Sequence, residues 1–294
     1  ATLRRDYGLP ELPPVERVFG VVGERAMVSL SPRLHNTAYR ELGLPFLYLP
    51  FPVSRFGPFW LEVVEAGRFD ALELPLTGLS VTAPHKGAAA AVAGALSPLA
   101  DFLDAVNTLV HNEGVWEGES TDGAGVVHAL RSHGVVPERA EVAVVGAGGA
   151  GRAAAWALAK QGARVVLVNR DSARGRIVAQ RLRVAFLDLD AFQPERFPVV
   201  VHATSLGGDD GDPLPFEPRR LGEDAVLVDL VYRQDRPTPL VAAARASGRL
   251  AVDGREVLLG QAIPQFHLMT GRELPRDAAR RCLDLEDVGG VNGS

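Results

Sequence analysis

Short apolar runs alternate along the chain with segments whose apolar residues recur at helical spacing. In the first part, the apolar runs predict strands at Val18–Val22, Phe46–Leu49 and Gly78–Val81. Helical spacing predicts helices from Ser31 to about Leu42 and at Phe59–Glu65, Ala88–Leu96 and Asp122–Ser132, with an extended hairpin at Ala105–Val110 and Gly114–Trp116. Ser31 is suited to cap the first of these helices, and Pro32 to its first turn.

The second part continues the same alternation. Strands are predicted at Glu141–Val145, Arg164–Val168, Val199–His202 and Ala225–Asp229, and helices at Arg152–Gln161, Glu256–Met269 and Arg276–Leu285. Gly, Asp and Pro residues concentrate in Gly207–Pro218, which predicts a surface loop. Strands that alternate with helices predict an α/β fold, and 294 residues are enough for about two domains.

Composition restricts the partners and the compartment. The formal net charge of −5 leaves no basic footprint for nucleic acid. Cys282 is the only cysteine, so an intramolecular disulfide is impossible and a reducing, cytoplasmic location is expected. The segment Ala1–Leu12 lacks the apolar run of a signal peptide, and Gly, Pro or charge interrupts every longer apolar stretch, so no membrane association is expected.

A glycine-rich turn follows the strand Glu141–Val145. It fits the pattern G-x-G-x-x-G, with an apolar strand before it and an Ala-rich helix after it. Glycine lets the backbone approach a pyrophosphate, and the helix N-terminus offers N–H groups and a positive dipole end. The candidate dinucleotide-binding residues are therefore Gly146, Gly148, Gly149, Ala150 and Gly151. The alternative is a tight turn in an Ala- and Gly-rich protein.

The end of the next predicted strand indicates which dinucleotide binds. An acidic residue there would accept hydrogen bonds from the ribose hydroxyls of NAD. The chain instead has Asn169 and Arg170, with Arg174 one helical turn later, and guanidinium groups suit the 2′-phosphate of NADP. Asp171 would repel that phosphate if its carboxylate pointed inward. The two arginines could also simply be solvated.

Lysine is rare in this chain. Of the 31 Lys and Arg residues, only Lys86 and Lys160 are lysine. An ammonium group can release its proton near neutral pH and a guanidinium cannot, so a retained lysine is a candidate for proton transfer. Lys160 ends a predicted helix and is interpreted as a surface residue, which leaves Lys86.

Several segments together resemble the ordered motifs of the shikimate dehydrogenase family, from about Val18 to about Gly271. They are Ser29–Pro32 with Leu34–Asn36, Ser80–Lys86, Ala105–Thr108, Ser120–Gly123, Gly146–Arg152, Asn169–Arg170, Ala203–Ser205, Asp229–Tyr232 and Asp253–Gly254 with Gly260–Ala262. The resemblance implies a reversible, NADP-dependent reduction of 3-dehydroshikimate to shikimate, in aromatic amino acid biosynthesis, without a metal.

The resemblance also implies roles for individual residues. Ser29 and Ser31 would bind the substrate carboxylate, which Tyr232 would also reach. Residues that would bind the ring hydroxyls and carbonyl are Thr82, Asn107 and Gln261. Lys86 and Asp122 would form the catalytic pair, although Lys86 could be a surface cation and Asp122 a helix cap. Further cofactor contacts would come from Thr204, Ser205 and Gly254.

The implied architecture has two α/β domains. Residues 1–117 and 255–294 would form the substrate-binding domain, and residues 118–254 a Rossmann-type NADP-binding domain with a doubly wound parallel sheet. The chain departs from the usual family pattern at several positions, which are Met27-Val28, Ser80, Ser120, His202 and Gly207-Gly208. Some departures resemble the dehydrogenase half of bifunctional dehydroquinate dehydratase–shikimate dehydrogenases, with Leu12–Val15 as an interdomain linker.

Two other functions stay open on the sequence. Quinate and aminoshikimate dehydrogenases share the fold, the lysine and the aspartate; both Ser29 and Ser31 are present here, which favours shikimate. A regulatory protein could have kept the fold to sense the metabolite. Such a protein is expected to lose the catalytic pair, whereas Lys86 and Asp122 are both present.

Overall fold

The structure is a computed structural model that describes residues 2–7, 14–209 and 211–285. Among these residues, one compact unit contains the chain up to Thr121 and again from Ala262, and the other contains Asp122–Gln261. The two-domain α/β prediction is confirmed. Part of the predicted linker, Leu12 and Pro13, lies outside the described residues.

The first unit contains a six-stranded mixed sheet with the order β2-β1-β3-β5-β6-β4. Its strands are β1 Arg17–Gly23, β2 Phe46–Pro52, β3 Leu76–Val81, β4 Ala95–Leu96, β5 Thr108–Asn112 and β6 Val115–Glu119. Its helices are α1 Thr2–Tyr7, α2 Ser31–Glu41, α3 Phe56–Phe59, α4 Lys86–Val92 and α5 Pro98–Leu103. Strands β1 to β3 are parallel, and β5 is antiparallel to β3, so the start of β5 and the ends of β1 and β3 share one edge.

The second unit contains a wholly parallel sheet with the order β12-β11-β10-β7-β8-β9. Its strands are β7 Glu141–Val145, β8 Arg164–Asn169, β9 Ala185–Asp188, β10 Val199–His202, β11 Val226–Asp229 and β12 Leu250–Val252. The remaining helices are α6 Asp122–Ser132, α7 Gly149–Lys160, α8 Ser172–Leu182, α9 Pro239–Ala246, α10 Gly254–Thr270 and α11 Arg276–Cys282. The strand order reverses between β7 and β10, which is the switch point of a Rossmann-type fold.

Each sheet carries its own apolar core. In the first unit, Leu79, Val106 and Leu109 are fully buried together with aromatic residues of the α3 region. In the second unit, Ala143, Val200 and Leu227 come from three neighbouring strands and are fully buried. Strands covered on both faces are continuous apolar runs, which is why the predictions for β7, β10 and β11 agree with the structure to within one residue.

The structure corrects several predicted elements. The predicted helix Ala88–Leu96 ends at Val92, because Leu96 pairs with Gly118 as strand β4 beside β6. Ser31 does not cap α2: Leu30 has helical dihedral angles, and the Ser29 hydroxyl accepts a hydrogen bond from the Ser31 N–H. The segment Trp60–Glu65 forms a π-helix that continues α3. No sequence pattern predicted α5, α8, α9, β9 or β12.

The divisions between the units fall after Thr121 and Gln261, a few residues beyond the predicted domain boundaries. Thr121 remains with the first unit because its backbone N–H donates to Asn107 at 2.8 Å. The first turns of α10 belong to the second unit because they pack against α6. The two helices are so close that a Cβ added at Gly125 of α6 would lie 2.6 Å from the Val257 carbonyl oxygen of α10. Among the described residues, no helix is both long and apolar enough to cross a bilayer.

Candidate functional site

Five predicted site residues lie at one edge of the first sheet. Ser29 and Ser31 follow β1, Thr82 and Lys86 follow β3, and Asn107 immediately precedes β5. Because β5 is antiparallel to β3, its start lies beside the end of β3, with Thr108 opposite Ser80. The strand order therefore brings these residues to a common edge although 78 positions separate Ser29 from Asn107 in the chain (107 − 29).

Ser29 and Ser31 are joined through the start of α2. The Ser29 hydroxyl lies 3.1 Å from the Ser31 nitrogen and accepts its hydrogen bond. Ser31 is buried, whereas Ser29 is partly exposed. The first turn of an 11-residue helix carries N–H groups without helical partners and the positive end of the helix dipole. Two hydroxyls at such a helix start suit a carboxylate.

Thr82 lies against β1 and precedes the turn that leads to Lys86. Its N–H donates to the Val22 carbonyl at 3.0 Å, and its carbonyl accepts from the His85 N–H at 3.1 Å. A Cβ on Gly23 would lie 2.2 Å from Thr82 Cγ2, so glycine is required there for Thr82 to occupy this place. Lys86 is the first residue of α4 and is partly exposed. His85 is buried and contacts the carbonyl of residue 53 through Nε2 at 2.7 Å.

Asn107 is buried and held in one orientation by a hydrogen-bond network. Its Oδ1 accepts from the Thr121 N–H at 2.8 Å, and its Nδ2 donates to the Thr121 hydroxyl at 2.9 Å. Its carbonyl accepts from the Val81 N–H at 2.7 Å and from Gln265 Nε2 at 3.2 Å. A side chain held through both of its polar atoms has a fixed orientation.

The sequence did not single out Gln265, which anchors this network from α10. Its Oε1 accepts from the Ser80 hydroxyl at 2.8 Å, and its Nε2 donates to the Thr108 hydroxyl at 2.9 Å. The Ser80 hydroxyl also hydrogen-bonds to the Tyr48 hydroxyl. Ser80, one of the departures from the family pattern, is therefore a buried structural residue behind the edge. Gln265 could not be recognised from the sequence because its partners are up to 185 positions away.

His35 packs inside the first unit. Its ring stacks on Tyr48 with centroids 4.3 Å apart and an angle of 13° between the planes. Burial lowers the pKa of His35 to about 3, although the Gln265 side chain acts in the opposite direction. The ring is therefore neutral near neutral pH and contributes packing.

The glycine-rich turn of the second unit connects β7 to α7. Gly146 has φ of 118°, which favours glycine, and a Cβ there would lie 2.8 Å from the Ala203 carbonyl oxygen. A Cβ on Gly151 would lie 2.0 Å from the Gly146 carbonyl oxygen, so that glycine permits the tight turn. A Cβ added at Gly148 would meet no other atom within 4 Å. Gly148 is the N-cap of α7, which begins at Gly149 and includes Ala150. This geometry fits a pyrophosphate against the helix N-terminus.

The end of β8 holds the next of the predicted cofactor-binding residues. Asn169 Oδ1 accepts from the Ala147 N–H at 3.1 Å, so this side chain holds the glycine-rich turn. Asp171 is the N-cap of α8, and its Oδ1 accepts from the Arg174 N–H at 3.0 Å. Arg170 and Arg174 are exposed, and neither guanidinium forms an ion pair or hydrogen bond with any described residue.

Asp171 is the residue that complicates the prediction of NADP. Its carboxylate is engaged by the first turn of α8, where N–H groups and the helix dipole stabilise negative charge. Helix capping therefore accounts for an acidic residue between two arginines. The residues present at the ends of β7 and β8 fit a dinucleotide that carries a 2′-phosphate.

The other predicted residues of the second unit also follow its strands. Thr204 and Ser205 follow β10, Tyr232 follows β11, and Gly254 follows β12. A Cβ on Gly254 would lie 2.4 Å from the Val231 carbonyl oxygen, so this position requires glycine for close packing. All C-terminal ends of a parallel sheet meet at one edge, so these residues and the glycine-rich turn share it.

Two further predicted residues lie on helices of the second unit. Asp122 is buried and begins α6, where the helix dipole favours negative charge. Gln261 is the last residue of this unit before the division within α10. It packs closely on α6, since a Cβ added at Gly125 would lie 3.0 Å from Gln261 Cβ. The structure thus divides the predicted substrate-binding and catalytic residues, with Asp122, Tyr232 and Gln261 in the second unit.

Family models match both units. The model for the shikimate dehydrogenase substrate binding domain matches residues 21–109. A model for glucose inhibited division protein A matches residues 141–194, a span that begins with β7 and includes the glycine-rich turn.

Relatives and solved structures match almost the whole chain. Shikimate dehydrogenase (NADP(+)) of Citrifermentans bemidjiense is 37% identical over 282 residues, which is 91% of this chain and 94% of the relative. The structure of shikimate dehydrogenase from Aquifex aeolicus is 33% identical, with a TM-score of 0.80 over 91% of this chain and 97% of that one. That of shikimate 5-dehydrogenase from Thermus thermophilus, in complex with NADP(H) and shikimate, is 31% identical, with a TM-score of 0.78 over 91% and 98% of the two chains. These names give no support to the hypothesis of a fused dehydratase.

Proposed function

Because this chain belongs to the shikimate dehydrogenase family, we propose that it catalyses the reversible, NADP-dependent reduction of 3-dehydroshikimate to shikimate. The observation that carries the proposal is the cofactor cradle of the second unit. An open glycine, Gly148, stands at the N-terminus of α7, and the exposed arginines Arg170 and Arg174 follow the neighbouring strand. The residues that follow the strands of the first unit supply hydroxyl, amide and ammonium groups suited to the substrate.

We assign the substrate-binding residues by their chemistry. Ser29 and Ser31 would bind the carboxylate at the start of α2, with Tyr232 as a further donor. The groups that would bind the ring hydroxyls and the carbonyl are Thr82, Asn107 and Gln261. The fixed orientation of Asn107 supports this role, because its hydrogen bonds to Thr121 restrict the side-chain rotation that a bound substrate would otherwise have to restrict.

Lys86 and Asp122 would carry the proton chemistry. NADPH, when bound, supplies a hydride to the carbonyl carbon at C3. The Lys86 ammonium would stabilise the negative charge that develops on the carbonyl oxygen and then donate a proton to it. In the reverse direction the neutral amine accepts the proton of the C3 hydroxyl. Asp122 would orient that hydroxyl and the ammonium group.

The proposed cofactor contacts come from backbone groups and from side chains. The Gly146–Gly151 turn and the first N–H groups of α7 would hold the pyrophosphate, and Arg170 and Arg174 the 2′-phosphate. Asn169 would position the turn, as its 3.1 Å hydrogen bond to Ala147 indicates. Thr204, Ser205 and Gly254, at the same sheet edge, would contact the rest of the cofactor.

An initial-rate assay with shikimate or quinate against NADP or NAD tests the proposal. Activity with shikimate and NADP, and much less with the other three pairs, is expected. Activity with quinate alone would mean that the same residues bind quinate instead of shikimate. The extra hydroxyl of quinate lies near its carboxylate and therefore near Ser29 and Ser31. A folded protein that binds shikimate but is inactive in all four assays would be a metabolite sensor. A cytoplasmic location remains a prediction from the single cysteine.

A further inference from the structure

A histidine and an aspartate form a buried pair beneath the cofactor edge of the second sheet. His202 ends β10, Asp229 ends β11, and the two residues are opposite one another in the parallel register. Both are completely buried. His202 Nδ1 lies 2.9 Å from Asp229 Oδ1. Buried polar residues in the centre of a sheet are costly unless they are fully hydrogen-bonded, so the pair needs an explanation.

The hydrogen bonds of the pair form a continuous chain that ends at Thr204. His202 Nε2 lies 2.5 Å from the Thr204 hydroxyl oxygen. At the other end, Asp229 Oδ2 accepts from the Thr238 hydroxyl at 2.6 Å, and Oδ1 also accepts from the Val231 N–H at 3.0 Å. Both oxygens of the carboxylate are therefore engaged, and the histidine is its connection to β10.

With His202 assigned as the neutral tautomer protonated on Nδ1, donor and acceptor accounting gives the direction of the Thr204 hydroxyl. A carboxylate only accepts, so Nδ1 of His202 carries a proton and donates to Asp229. In the neutral ring Nε2 must then accept, and the Thr204 hydroxyl donates its proton to it. The Thr204 oxygen also accepts from the Leu206 N–H at 3.2 Å. One lone pair remains, so Thr204 can offer a ligand an acceptor and not a donor.

Thr204 lies at the switch point of the sheet, beside the glycine-rich turn. A Cβ on Gly146 would come 3.1 Å from Thr204 Cγ2, which places the two residues in direct contact. The segment after β10 is held a second time from the segment after β11, because Arg233 donates to the Gly207 and Asp209 carbonyls at 3.3 and 2.8 Å. The end of the hydrogen-bond chain is therefore part of the cofactor cradle.

We propose that His202 and Asp229 are positioning residues that orient the Thr204 hydroxyl as a hydrogen-bond acceptor for an N–H or O–H group of the bound dinucleotide. The inference rests on the proposed function, since it assigns the cofactor to this sheet edge. A phosphate oxygen, which only accepts, would gain nothing from Thr204 in this orientation. The group that Thr204 recognises is a donor, such as a carboxamide N–H or a ribose hydroxyl.

The variants His202→Asn and Thr204→Val, alone and combined, test the proposal. Asparagine places an amide N–H near the position of Nδ1, so it can still donate to Asp229, but it does not reach Thr204. Valine replaces the threonine hydroxyl with a methyl group of similar size. Each single variant is expected to raise the Kd and the KM of NADP about fivefold, the equivalent of one hydrogen bond of about 1 kcal/mol. The KM of shikimate should not change.

The double variant distinguishes positioning from general damage. If His202 acts through Thr204, the double variant should bind NADP about as weakly as either single variant, and Thr204→Ser should retain most of the affinity. Multiplied effects in the double variant, or an unchanged Kd of NADP in His202→Asn, would overturn the proposal. Val200→Ala, a fully buried change on the same strand, is the matched control that should lower the melting temperature without a change in Kd.

Failure of the inference and failure of the proposed function give different results. Calorimetric titration of NADP into the unaltered protein measures binding without turnover. If the unaltered protein neither binds NADP nor oxidises shikimate, the proposed function is wrong and the inference falls with it. If the unaltered protein does both and His202→Asn binds NADP equally well, only the inference is wrong.

Discussion

Replacement of Arg170 and Arg174 by alanine tests the assignment of the 2′-phosphate most directly. Both residues are exposed, and neither guanidinium has a partner among the described residues. Their removal therefore leaves no buried carboxylate without a counter-charge and should not unfold the chain. What each change removes is a charged donor beside the end of β8, where the ribose of a dinucleotide is expected.

The expected magnitude follows from this exposure. A hydrogen bond to a charged group contributes about 1.5–3 kcal/mol where it is shielded from water. Solvent screening at an exposed site reduces this to about 1 kcal/mol for each arginine. Each single variant should therefore raise the KM of NADP about fivefold, and the double variant about 25-fold if the two contributions are independent. NAD lacks the 2′-phosphate, so its KM should stay within about twofold under the same relation.

The assay measures the KM of NADP and of NAD for each variant with shikimate at saturation. Arg176→Ala is the matched control. Arg176 lies on α8, as Arg174 does, and is exposed, but it already forms an ion pair with Asp188 at 3.1 Å. It removes the same charge without touching the assigned site, so the KM of NADP should hardly change. Higher salt should weaken NADP binding more than NAD binding in the unaltered enzyme, and this difference should vanish in the double variant.

Equal losses of affinity for NADP and NAD would refute the reasoning. Such a result would mean that Arg170 and Arg174 act on a part of the cofactor that both dinucleotides share, such as the pyrophosphate. An equally large effect of Arg176→Ala would instead assign the loss to the general positive potential of α8.

Three further predictions concern turnover, the glycine-rich turn and acid stability. Lys86→Ala should lower turnover about a hundredfold or more with little change in the Kd of shikimate, and unchanged turnover would remove Lys86 from the mechanism; Lys160→Ala, on the exposed end of α7, is the control. Gly151→Ala should abolish NADP binding and lower the melting temperature, because its Cβ would lie 2.0 Å from the Gly146 carbonyl oxygen; normal NADP affinity would show that the turn can rearrange. Burial lowers the pKa of His35 to about 3, so the unfolded chain takes up a proton below about pH 6.5 that the folded chain refuses. The free energy of unfolding should fall from about pH 6.5 towards pH 3 by up to about 1.4 kcal/mol per pH unit. His35→Phe should remove this part of the pH dependence in denaturant titrations. The same pH dependence in His35→Phe and the unaltered protein would contradict the lowered pKa.

Local sequence signals predicted the elements that local forces determine. The run Glu141–Val145 is wholly apolar after its first residue because the strand is buried on both faces, and the glycines that follow are needed by the turn itself. The helix Asp122–Ser132 has the bounds that its sequence predicts. The prediction of NADP likewise rests on neighbours in the chain, Asn169 to Arg174, whose order around one strand end is preserved in any fold that contains this strand–turn–helix.

One error arose where distant partners override local preference, and another arose locally. Ala95 and Leu96 continue an Ala-rich helical pattern, yet they form a strand because Glu117 and Gly118 provide its hydrogen bonds. Serine commonly caps helices, but the backbone at Leu30 is already helical, so the N-cap is Leu30, and the Ser29 hydroxyl accepts a hydrogen bond from the Ser31 N–H. The strand at Ala95 and Leu96 could not be obtained from a window of the sequence, since its hydrogen-bond partners lie on a separate strand. The error at Ser31 is local, because residue types alone do not decide which of two nearby serines precedes the helix.

The site shows the same division between local and tertiary information. The sequence by itself determined the α/β fold, the glycine-rich turn and the types of residue able to bind a carboxylate, transfer a proton or recognise a phosphate, because these depend on spacing and side-chain chemistry. Only the tertiary structure decided that Gln265 holds Asn107, and that His202 and Asp229, 27 positions apart, form one hydrogen-bond chain to Thr204. The physical reason is that hydrogen bonds require approach to about 3 Å. The packing of helices and strands brings distant residues that close without leaving a periodic signal in the sequence.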